Sequence, residues 1–319
     1  MTFKILCTDG FSKAGLDELA KNTAFEVAFI KALTHEELLE KIHPFNALII
    51  RSASRVSADV IEAGKSLRII ARAGVGVDNI DVPAATRRNI MVINAPAGNT
   101  VSTAELSFGM LLALARHIPQ AACAMANGKW EKKKFQGTEV AKKVLGVIGM
   151  GRVGREVARR AMAFRMTVVG FDPFLDADQF DAAGVERVAL DKIFKTADYI
   201  TVHTPLTPET ENLISAKEFK MMKPSACVIN CARGGIVNEA DLAEALRQKT
   251  IAGAALDVYT KEPFESTIFQ GLDNCILTPH LGASTNEAQD AVAVEAAYEV
   301  AQYLTTGQCA NCVNLRSET

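Results

Sequence analysis

The stretch that decides the fold is "VLGVIGMGRVGREVARRAMAF" (residues 144–164), which is followed by "MTVVGFD" (166–172). Its apolar beginning predicts a buried strand, and Gly149, Gly151 and Gly154 come directly after that strand. In a strand-turn-helix unit, the first glycine makes the tight turn, the second admits a pyrophosphate close to the backbone, and the third packs against the strand. The glycines alone would be weak evidence, so the flanking residues decide their meaning.

The residues after the glycines favour a dinucleotide site. Four apolar residues recur at helical spacing and predict one buried helix face; they are Val153, Val157, Ala161 and Phe164. The N-terminus of such a helix offers free N–H groups and positive potential to a phosphate. The next strand ends at Asp172, 18 residues after Gly154, where a carboxylate would bind ribose hydroxyls and repel a 2′-phosphate. The sequence therefore predicts NAD rather than NADP, and the alternative is a glycine pattern that serves packing only.

Size and composition set the class of protein. The chain has 319 residues, of which 49% are hydrophobic and 23% charged, and its formal net charge is -2. This length suffices for two domains, and the charge gives no general attraction to nucleic acid or anionic membranes. The longest apolar segment, 106–115, is much shorter than the roughly 20 residues that span a bilayer. The N-terminus lacks the apolar stretch of a secretory signal, so we expect a cytoplasmic protein.

The seven cysteines do not suggest a disulfide framework in a chain of this length. Residues 309–312, "CANC", form a lone CxxC without a second pair or nearby histidines. We expect reduced thiols and no bound metal, and use of the CxxC in metal or redox chemistry is the alternative.

Short β-type runs alternate with helical patterns along the chain, which is typical of parallel sheets covered by helices. The first series contains five candidate strands: "FKILCTD", "FEVAFI", "ALIIR", "LRIIARAG" and "IMVINAP". The second contains six: "KKVLGVIG", "MTVVGFD", "YITVHT", "CVINCA", "AGAALDVY" and "CILTPH". Six is the number that a dinucleotide-binding sheet uses. The predicted fold class is α/β, with two doubly wound parallel sheets.

Two capping-box patterns predict where long helices begin. One starts at Ser102 and opens a helix that is apolar nearly all round, so its faces require cover from its own domain and from a neighbouring domain or subunit. The other starts at Ser284 and opens the final helix. Because the first series lacks a closing helix, we expect this last segment to return to it. An NAD-binding Rossmann domain (98–284) would then be inserted in a discontinuous, flavodoxin-like substrate domain (1–97 and 285–319).

Three polar side chains follow strands of the second series: Arg233 after "CVINCA", Glu262 after "AALDVYTK" and His280 after "CILTP". Ligands of open α/β sheets bind beyond the carboxyl ends of the strands, so these residues could meet in one cleft. An arginine fork matches a carboxylate, an imidazole exchanges a proton near neutral pH, and an adjacent carboxylate favours the imidazolium. Taken alone, each would more often be a surface or packing residue. Together they predict hydride transfer to or from an α-hydroxy or α-keto acid, while His203 could line the cofactor cleft.

The sequence resembles a known family, the D-isomer-specific 2-hydroxyacid dehydrogenases. The resemblance covers essentially the whole chain and rests on "IIRSASRVSADVI", "ARAGVGVDNID", "GKWEKKKFQGTE", "GMGRVGREVA", "NCARGGIVNE", "AGAALDVYTKEP" and "PHLGASTNEAQ". It is strongest to members that oxidise 3-phosphoglycerate to 3-phosphohydroxypyruvate at the entry to serine synthesis. Sister enzymes that reduce glyoxylate or hydroxypyruvate are the first alternative. Corepressors with a similar fold, which sense NAD without turnover, are the second.

The resemblance implies a role for each predicted site residue. Arg233 would bind the substrate carboxylate and polarise the keto oxygen, Glu262 would orient His280, and His280 would be the catalytic proton donor. The implied cofactor contacts are Val75, Gly149, Gly151, Arg152, Val153, Gly154, Asp172, Thr204, Cys231, Ala232, Arg233, Asp257, His280, Gly282 and Ala283. The implied substrate contacts, with the phosphate on Arg51 and Arg72, are Arg51, Ser52, Arg72, Gly74, Lys132 and Arg233. Val75 stands where some relatives have a hydroxyl residue.

The resemblance also implies a partner. The basic residues Lys132 to Lys134 beside Trp130 correspond to an arm that crosses to a second subunit in this family and adds positive charge near the phosphate. A homodimer, with tetramers as an open possibility, is expected. Many of the most similar members continue into a C-terminal regulatory domain that binds serine. This chain ends at "VNLRSET", so we expect no feedback through such a domain.

Overall fold

The computed structural model describes residues 2–314, so Met1 and residues 315–319 of the predicted discontinuous domain lie outside the described residues. The chain divides into two compact units. Unit 1 contains residues 1–100 and 283–319, and unit 2 contains residues 101–282.

Strands and helices alternate along both units. The strands are β1 (Phe3–Cys7), β2 (Phe25–Phe29), β3 (Ala47–Ile50), β4 (Ile69–Arg72), β5 (Met91–Asn94), β6 (Val144–Ile148), β7 (Thr167–Phe171), β8 (Glu186–Arg187), β9 (Tyr199–Val202), β10 (Cys227–Asn230), β11 (Gly253–Leu256) and β12 (Cys275–Leu277). The helices are α1 (Lys13–Ala20), α2 (His35–Lys41), α3 (Ala58–Ala63), α4 (Val82–Arg87), α5 (Thr100–Arg116), α6 (Ile118–Ala126), α7 (Arg152–Ala163), α8 (Ala177–Ala182), α9 (Leu190–Thr196), α10 (Ala216–Met221), α11 (Glu239–Arg247) and α12 (Asn286–Thr306).

Unit 1 is built on five parallel strands in the order β2-β1-β3-β4-β5. This is the flavodoxin-like order, and its five strands are those predicted from the sequence. All four residues of β3 are buried, as expected for an apolar run covered on both faces of a parallel sheet. The register pairs Ile50 at the end of β3 with Arg72 at the end of β4. The residues that follow these two strands therefore lie side by side at the carboxyl edge of the sheet.

The long helix α12 packs on the sheet of unit 1. Its Val292, Ala293 and Val300 share a buried cluster with residues of β1, β3, β4 and β5. The helix is capped by Thr285, whose hydroxyl accepts the N–H of Ala288 at 3.1 Å. The predicted cap at Ser284 is thus wrong by one residue, because the hydroxyl that reaches the free N–H belongs to the next residue.

Unit 2 is built on seven parallel strands in the order β12-β11-β10-β9-β6-β7-β8. Counted within the unit, this is the dinucleotide-binding order 3-2-1-4-5-6 with a seventh strand at the edge. The sequence predicted six of these strands and missed β8, since two exposed residues show no hydrophobic period. The strand order reverses between β6 and β9, which is where ligands of such sheets bind.

Two details of the unit 2 helices differ from the sequence prediction. Helix α5 begins at Thr100, so Ser102 is a buried residue of its first turn and not its cap. Thr103, one residue on, donates its hydroxyl to the carbonyl of Gly282 at 3.1 Å, and tertiary contact overrides the capping pattern here. In α7, the buried face is formed by Gly154, Val157, Ala158 and Ala161. Phe164, expected on that face, follows the helix end and is 47% exposed.

Asp198 ties strand β6 to the segment that follows helix α10 in unit 2. Its carboxylate accepts the N–H of Val144 at 2.8 Å and the ammonium of Lys223 at 2.9 Å. Burial by itself would raise the pKa of this carboxyl, but those two donors outweigh burial and hold the pKa below its ordinary value of 3.8. A lowered pKa in the folded state contributes stability above the unfolded pKa, and this contribution is lost as the pH falls through the folded pKa.

We expect Asp198→Asn to lower the free energy of unfolding at pH 7 by about 1–2 kcal/mol, because two donors lose a charged acceptor. The difference from wild type should shrink below about pH 4. Urea midpoints measured between pH 7 and pH 3 check this. Asp191→Asn, which changes an exposed carboxylate 3.6 Å from Lys195, is the control and should change little at any pH. An Asp198→Asn difference that stays the same down to pH 3 would contradict the assignment.

The described cysteines are all free thiols. Burial raises the pKa of Cys7, Cys227 and Cys231 to about 12, so these thiols stay protonated near neutral pH. Within residues 2–314, no group of three or more His, Cys, Asp or Glu side chains is placed to hold a metal ion. The same residues contain no helix long and apolar enough to cross a membrane.

Candidate active site

The glycine loop lies between β6 and α7, at the reversal of the strand order. Gly149 has φ +92°, and a Cβ atom there would lie 2.6 Å from the carbonyl oxygen of His203. A Cβ atom at Gly154 would lie 2.0 Å from the carbonyl oxygen of Gly149. A Cβ atom at Gly151 would meet nothing within 4 Å. The protein itself thus requires the first and third glycines, while the second borders open space that a pyrophosphate fits.

Asp172 follows β7 and lies beside this loop. Its carboxylate accepts the N–H of Met150 at 2.9 Å and the N–H of Phe174 at 2.9 Å. The two bonds hold the carboxylate in one orientation, and the residue remains partly exposed. A fixed, accessible acceptor at the end of the second strand suits the ribose hydroxyls of a dinucleotide.

The segment after β9 forms the other side of the reversal point. The hydroxyl oxygen of Thr204 is buried and has no hydrogen-bond partner within the described part of the chain. Its methyl carbon would lie 2.9 Å from a Cβ atom at Gly149, so this hydroxyl borders the glycine loop. A buried hydroxyl without a partner is costly, and a polar ligand group would satisfy it. This observation supports the predicted contact between Thr204 and the cofactor.

His203 lies one residue earlier and was expected to line the same cleft. Its Nε2 is 2.9 Å from the hydroxyl of Thr201. The residue keeps some exposed surface, but the ring itself lies among protein atoms, and this burial lowers its pKa to about 3. The imidazole is therefore neutral at neutral pH and is a poor proton donor there.

Gly151→Ala tests this reading of the glycine loop. We expect the midpoint of thermal unfolding to stay within a few degrees of wild type, because the backbone is extended and the new methyl group meets open space. The dissociation constant for NADH should rise at least about tenfold, since the methyl group would occupy the predicted pyrophosphate position. Fluorescence titration measures this dissociation constant. The control is Gly109→Ala, which changes another glycine with open space around its Cβ position. Unchanged NADH affinity would show that the pyrophosphate lies elsewhere.

His280 and Glu262 meet beyond the ends of β12 and β11. Nδ1 of His280 is 2.7 Å from Oε2 of Glu262, and the side chains are 50% and 36% exposed. The second carboxylate oxygen, Oε1, accepts the N–H of Tyr259 at 3.1 Å. The carboxylate is therefore fixed by its own loop while it orients the ring. With Nδ1 engaged, Nε2 is the ring nitrogen that can exchange a proton with a ligand.

Asp257 holds the loop that carries His280. It is fully buried, and its oxygens accept the hydroxyl of Thr278 at 2.6 Å and the N–H groups of Leu281 and Gly282 at 2.7 and 2.8 Å. His280 itself has φ +55°, a conformation that L residues rarely adopt, and these bonds fix the residues on both sides of it. Asp257 and Gly282 were predicted as cofactor contacts. Their hydrogen bonds in the described part of the chain go to other protein groups, so positioning of His280 is the role that their geometry supports.

Arg233 follows β10 and lies in the same cluster of loops. The side chain of Asn230 accepts the N–H of Ala232 at 3.0 Å and donates to the carbonyl of Arg233 at 2.8 Å, which shapes the turn. A Cβ atom at Gly234 would lie 1.9 Å from the carbonyl carbon of Tyr259. The loop of Arg233 therefore packs directly on the backbone that leads to Glu262. Asn230 was not among the predicted site residues, and its one signal in the sequence is a polar residue at the end of a buried strand.

Five predicted contacts of unit 2 remain: Arg152, Val153, Cys231, Ala232 and Lys132. Arg152 and Val153 are the first residues of α7, next to the glycine loop. The thiol of Cys231 is buried 3.5 Å from the sulfur of Met110, so a ligand would meet only the backbone at this position. Ala232 lies in the turn shaped by Asn230. Lys132 is exposed at the start of the 3₁₀ turn Lys132–Phe135.

Other predicted contacts belong to unit 1. Arg51 and Arg72 lie at the carboxyl ends of adjacent strands, β3 and β4. Nη1 of Arg72 donates to the carbonyl of Ala73 at 2.8 Å, and a Cβ atom at Gly74 would lie 1.6 Å from the same nitrogen. Only glycine at this position leaves the guanidinium in place. Three further predicted residues are assigned to the same unit: Ser52, Val75 and Ala283.

Comparison with known proteins identifies the family to which the chain is similar. Residues 108–282 match the family model of the NAD-binding domain of D-isomer specific 2-hydroxyacid dehydrogenases. The D-3-phosphoglycerate dehydrogenase of Synechocystis is 46% identical over 312 residues, which cover 98% of this chain and 56% of that protein. The chain thus spans little more than half the length of this curated relative.

Solved structures share the fold along nearly the whole chain. A protein of Thermus thermophilus aligns with TM-score 0.87 and 33% identity over 98% of this chain and 100% of its own. An NADPH-dependent glyoxylate/hydroxypyruvate reductase of Sinorhizobium meliloti aligns with TM-score 0.86 and 26% identity over 98% and 97%. The resemblance drawn from the sequence is confirmed. The chain belongs to the family of D-isomer specific 2-hydroxyacid dehydrogenases.

Proposed function

We propose that the chain catalyses the reversible, NAD-dependent oxidation of D-3-phosphoglycerate to 3-phosphohydroxypyruvate, the first step of serine biosynthesis. The observation that carries the chemistry is the 2.7 Å hydrogen bond between His280 and Glu262, which lies in the unit that contains the dinucleotide loop. The identity of 46% to a protein named D-3-phosphoglycerate dehydrogenase supports this substrate among those of the family.

His280 is the proposed acid and base. In the oxidation direction, its Nε2 accepts the hydroxyl proton of the substrate, and in the reduction direction it returns that proton to the keto oxygen. Glu262 holds the ring through Nδ1 and stabilises the imidazolium that forms. NAD, when bound, accepts the hydride in one direction and NADH donates it in the other.

Arg233 is the proposed anchor for the substrate carboxylate. A guanidinium presents parallel N–H donors that match a carboxylate, and it keeps its charge in the working pH range. Its backbone is fixed by Asn230 and by the close packing of Gly234 on Tyr259. Nη1 of Arg233 donates to the carbonyl of Ala232 at 2.7 Å. A guanidinium held in this way would keep the substrate carboxylate, and with it the reacting carbon, in one orientation.

Arg51 and Arg72 are the proposed ligands of the substrate phosphate, with Ser52, Gly74 and Lys132 as further contacts. The two arginines lie at the carboxyl ends of adjacent strands, so both can reach one doubly charged group. We accordingly propose residues 1–97 and 285–319 as the substrate-binding domain and residues 98–284 as the NAD-binding domain.

Arg51→Ala tests the choice of substrate. We expect KM for 3-phosphohydroxypyruvate to rise roughly 10- to 100-fold, because a charged hydrogen-bond partner of the phosphate is lost. KM for glyoxylate, which has no phosphate, should change less than about twofold. Arg55→Ala, which removes an exposed arginine four residues on, is the control. An equal effect of Arg51→Ala on both substrates would contradict the phosphate assignment.

Reduction of glyoxylate or hydroxypyruvate is the second candidate. The solved reductase of Sinorhizobium meliloti supports it through a shared fold at 26% identity. That enzyme is NADPH-dependent, whereas Asp172 of this chain presents a carboxylate where a 2′-phosphate would lie. NADH oxidation measured with phosphohydroxypyruvate, glyoxylate and 2-oxoglutarate side by side decides between the candidates.

A homodimer is the proposed assembly. Helix α6 is strongly apolar, yet it has no buried residue within the described chain. Ile118, Met125 and Trp130 in and after this helix are 53%, 54% and 81% exposed. An exposed apolar surface of this kind is typical of a protein interface, and a second copy is the partner that we propose. Cytoplasmic localisation is likewise proposed.

A further inference from the structure

The loop that carries Arg51 is held from one side by Asp9. One carboxylate oxygen accepts the N–H groups of Arg51 and Ser54, each at 2.9 Å. The other oxygen accepts the hydroxyl of Ser54 at 2.6 Å. Ser54 is buried, so the carboxylate closes the loop onto the body of unit 1. Hydrogen bonds to an ionised acceptor are the strong ones, and three converge here.

Asn79 holds the same loop from the other side. Its side-chain nitrogen donates to the carbonyl of Arg51 at 2.8 Å and to the carbonyl of Ser54 at 2.7 Å. Its own carbonyl accepts the N–H of Val56 at 2.8 Å. Asp9 therefore binds the donors of residues 51 and 54, and Asn79 binds their acceptors.

Asp9 reaches this position through an unusual backbone. It follows β1 with φ +61°, a conformation that Asp and Asn tolerate better than other L residues. The flanking residues are fixed by bonds from Thr8 N–H to the Ile49 carbonyl at 3.0 Å and from Gly10 N–H to the Lys31 carbonyl at 2.9 Å. The strained turn directs the carboxylate to the loop after β3.

From these contacts we propose that Asp9 and Asn79 are positioning residues for the phosphate of the substrate. They fix the backbone of the loop 51–54 at the carboxyl edge of the sheet, and with it the point from which the side chain of Arg51 extends, beside the end of β4. The inference rests on the proposed role of Arg51 in phosphate binding. Its physical basis is preorganisation: a loop that is already ordered does not lose conformational freedom when the substrate binds.

Two substitutions at Asp9 isolate the carboxylate from the backbone. Asp9→Gly and Asp9→Asn both tolerate the positive φ, so the turn can persist while the charged acceptor is lost. We expect KM for 3-phosphohydroxypyruvate to rise about tenfold, with kcat within about twofold and the NADH dissociation constant unchanged. Asp17→Asn, a substitution of an exposed carboxylate in the same unit, is the control.

Asn79→Ala removes the side chain that holds the loop through the carbonyls of Arg51 and Ser54. This substitution should also raise KM for 3-phosphohydroxypyruvate. In the double variant Asp9→Gly/Asn79→Ala, the rise should be smaller than the product of the single effects, because both residues hold one loop. A merely structural role would lower the thermal midpoint and affect KM, kcat and NADH binding together. That result, or an unchanged KM in both single variants, would overturn the proposal.

Hydrogen exchange separates this inference from the proposed function. In Asp9→Gly, the amides of Arg51 and Ser54 should exchange at least about tenfold faster than in wild type, whichever substrate the enzyme uses. One result would be that the wild-type enzyme shows no kinetic preference for 3-phosphohydroxypyruvate over glyoxylate, while these amides exchange faster in Asp9→Gly. The substrate assignment then fails and the loop assignment stands. If the amides are unaffected, the loop assignment fails regardless of substrate.

Discussion

His280→Ala is expected to reduce turnover by about 10²- to 10⁴-fold, the usual contribution of a positioned general acid and base, while NADH still binds. The ring that we propose to exchange the proton disappears, and the glycine loop and Asp172 remain. The lost ring is the one that Glu262 orients through Nδ1 at 2.7 Å. Steady-state kinetics and NADH fluorescence titration on the same preparation measure the two effects.

Two variants sharpen this test. Glu262→Gln keeps the shape of the side chain but removes its charge, so turnover should fall less than in His280→Ala, with NADH binding again retained. His43→Ala removes an exposed histidine of unit 1 and should leave turnover unchanged. If His280→Ala keeps most of its turnover, proton transfer must be assigned to another group.

Arg233→Lys is expected to lower kcat/KM by roughly 10²- to 10³-fold for every 2-keto acid, because one ammonium cannot reproduce the paired donors of a guanidinium. Charge is retained, so the loss reports geometry and not simple attraction. The turn shaped by Asn230 depends on backbone groups, so the fold should persist. Progress curves with NADH and several 2-keto acids measure the effect.

The matched control is Arg159→Lys, since Arg159 is 71% exposed and pairs with Glu156 on its own helix. It should leave kcat/KM within about twofold. A fall in kcat/KM limited to phosphorylated substrates would place Arg233 at the phosphate, and a fall below about twofold for all substrates would remove it from the site.

Local patterns predicted those parts of the fold that depend on short spacings. The glycines, the helix after them and Asp172 lie within one strand-turn-helix-strand unit, so their relation is set by nearby residues. The five strands of unit 1 were equally visible as apolar runs. Strand β8 was not, because two exposed residues pair with β7 only when the sheet already exists.

At two helix ends, tertiary contacts override the capping pattern of the local sequence. Ser102 has the sequence of a helix cap, yet α5 begins two residues earlier, where the chain enters unit 2. Thr285 and not Ser284 caps α12, because the tertiary path of the backbone decides which hydroxyl faces the free N–H groups. Helix ends predicted from residue spacing are uncertain by one or two residues, and these shifts are of that size.

By itself, the sequence determined the α/β class, the dinucleotide loop of an NAD-binding domain, and the set of residues that we propose for hydride transfer. The tertiary structure decided which of them meet: His280 reaches Glu262 across 18 residues, and Asp9 reaches Ser54 across 45. It also revealed that the side chains of Asn230, Asn79 and Asp257 hold loops through hydrogen bonds. These residues belong to no periodic pattern in the sequence. The reason is physical: periodicity reports what one segment buries, whereas a hydrogen bond between distant loops exists only after the sheets have brought their ends together.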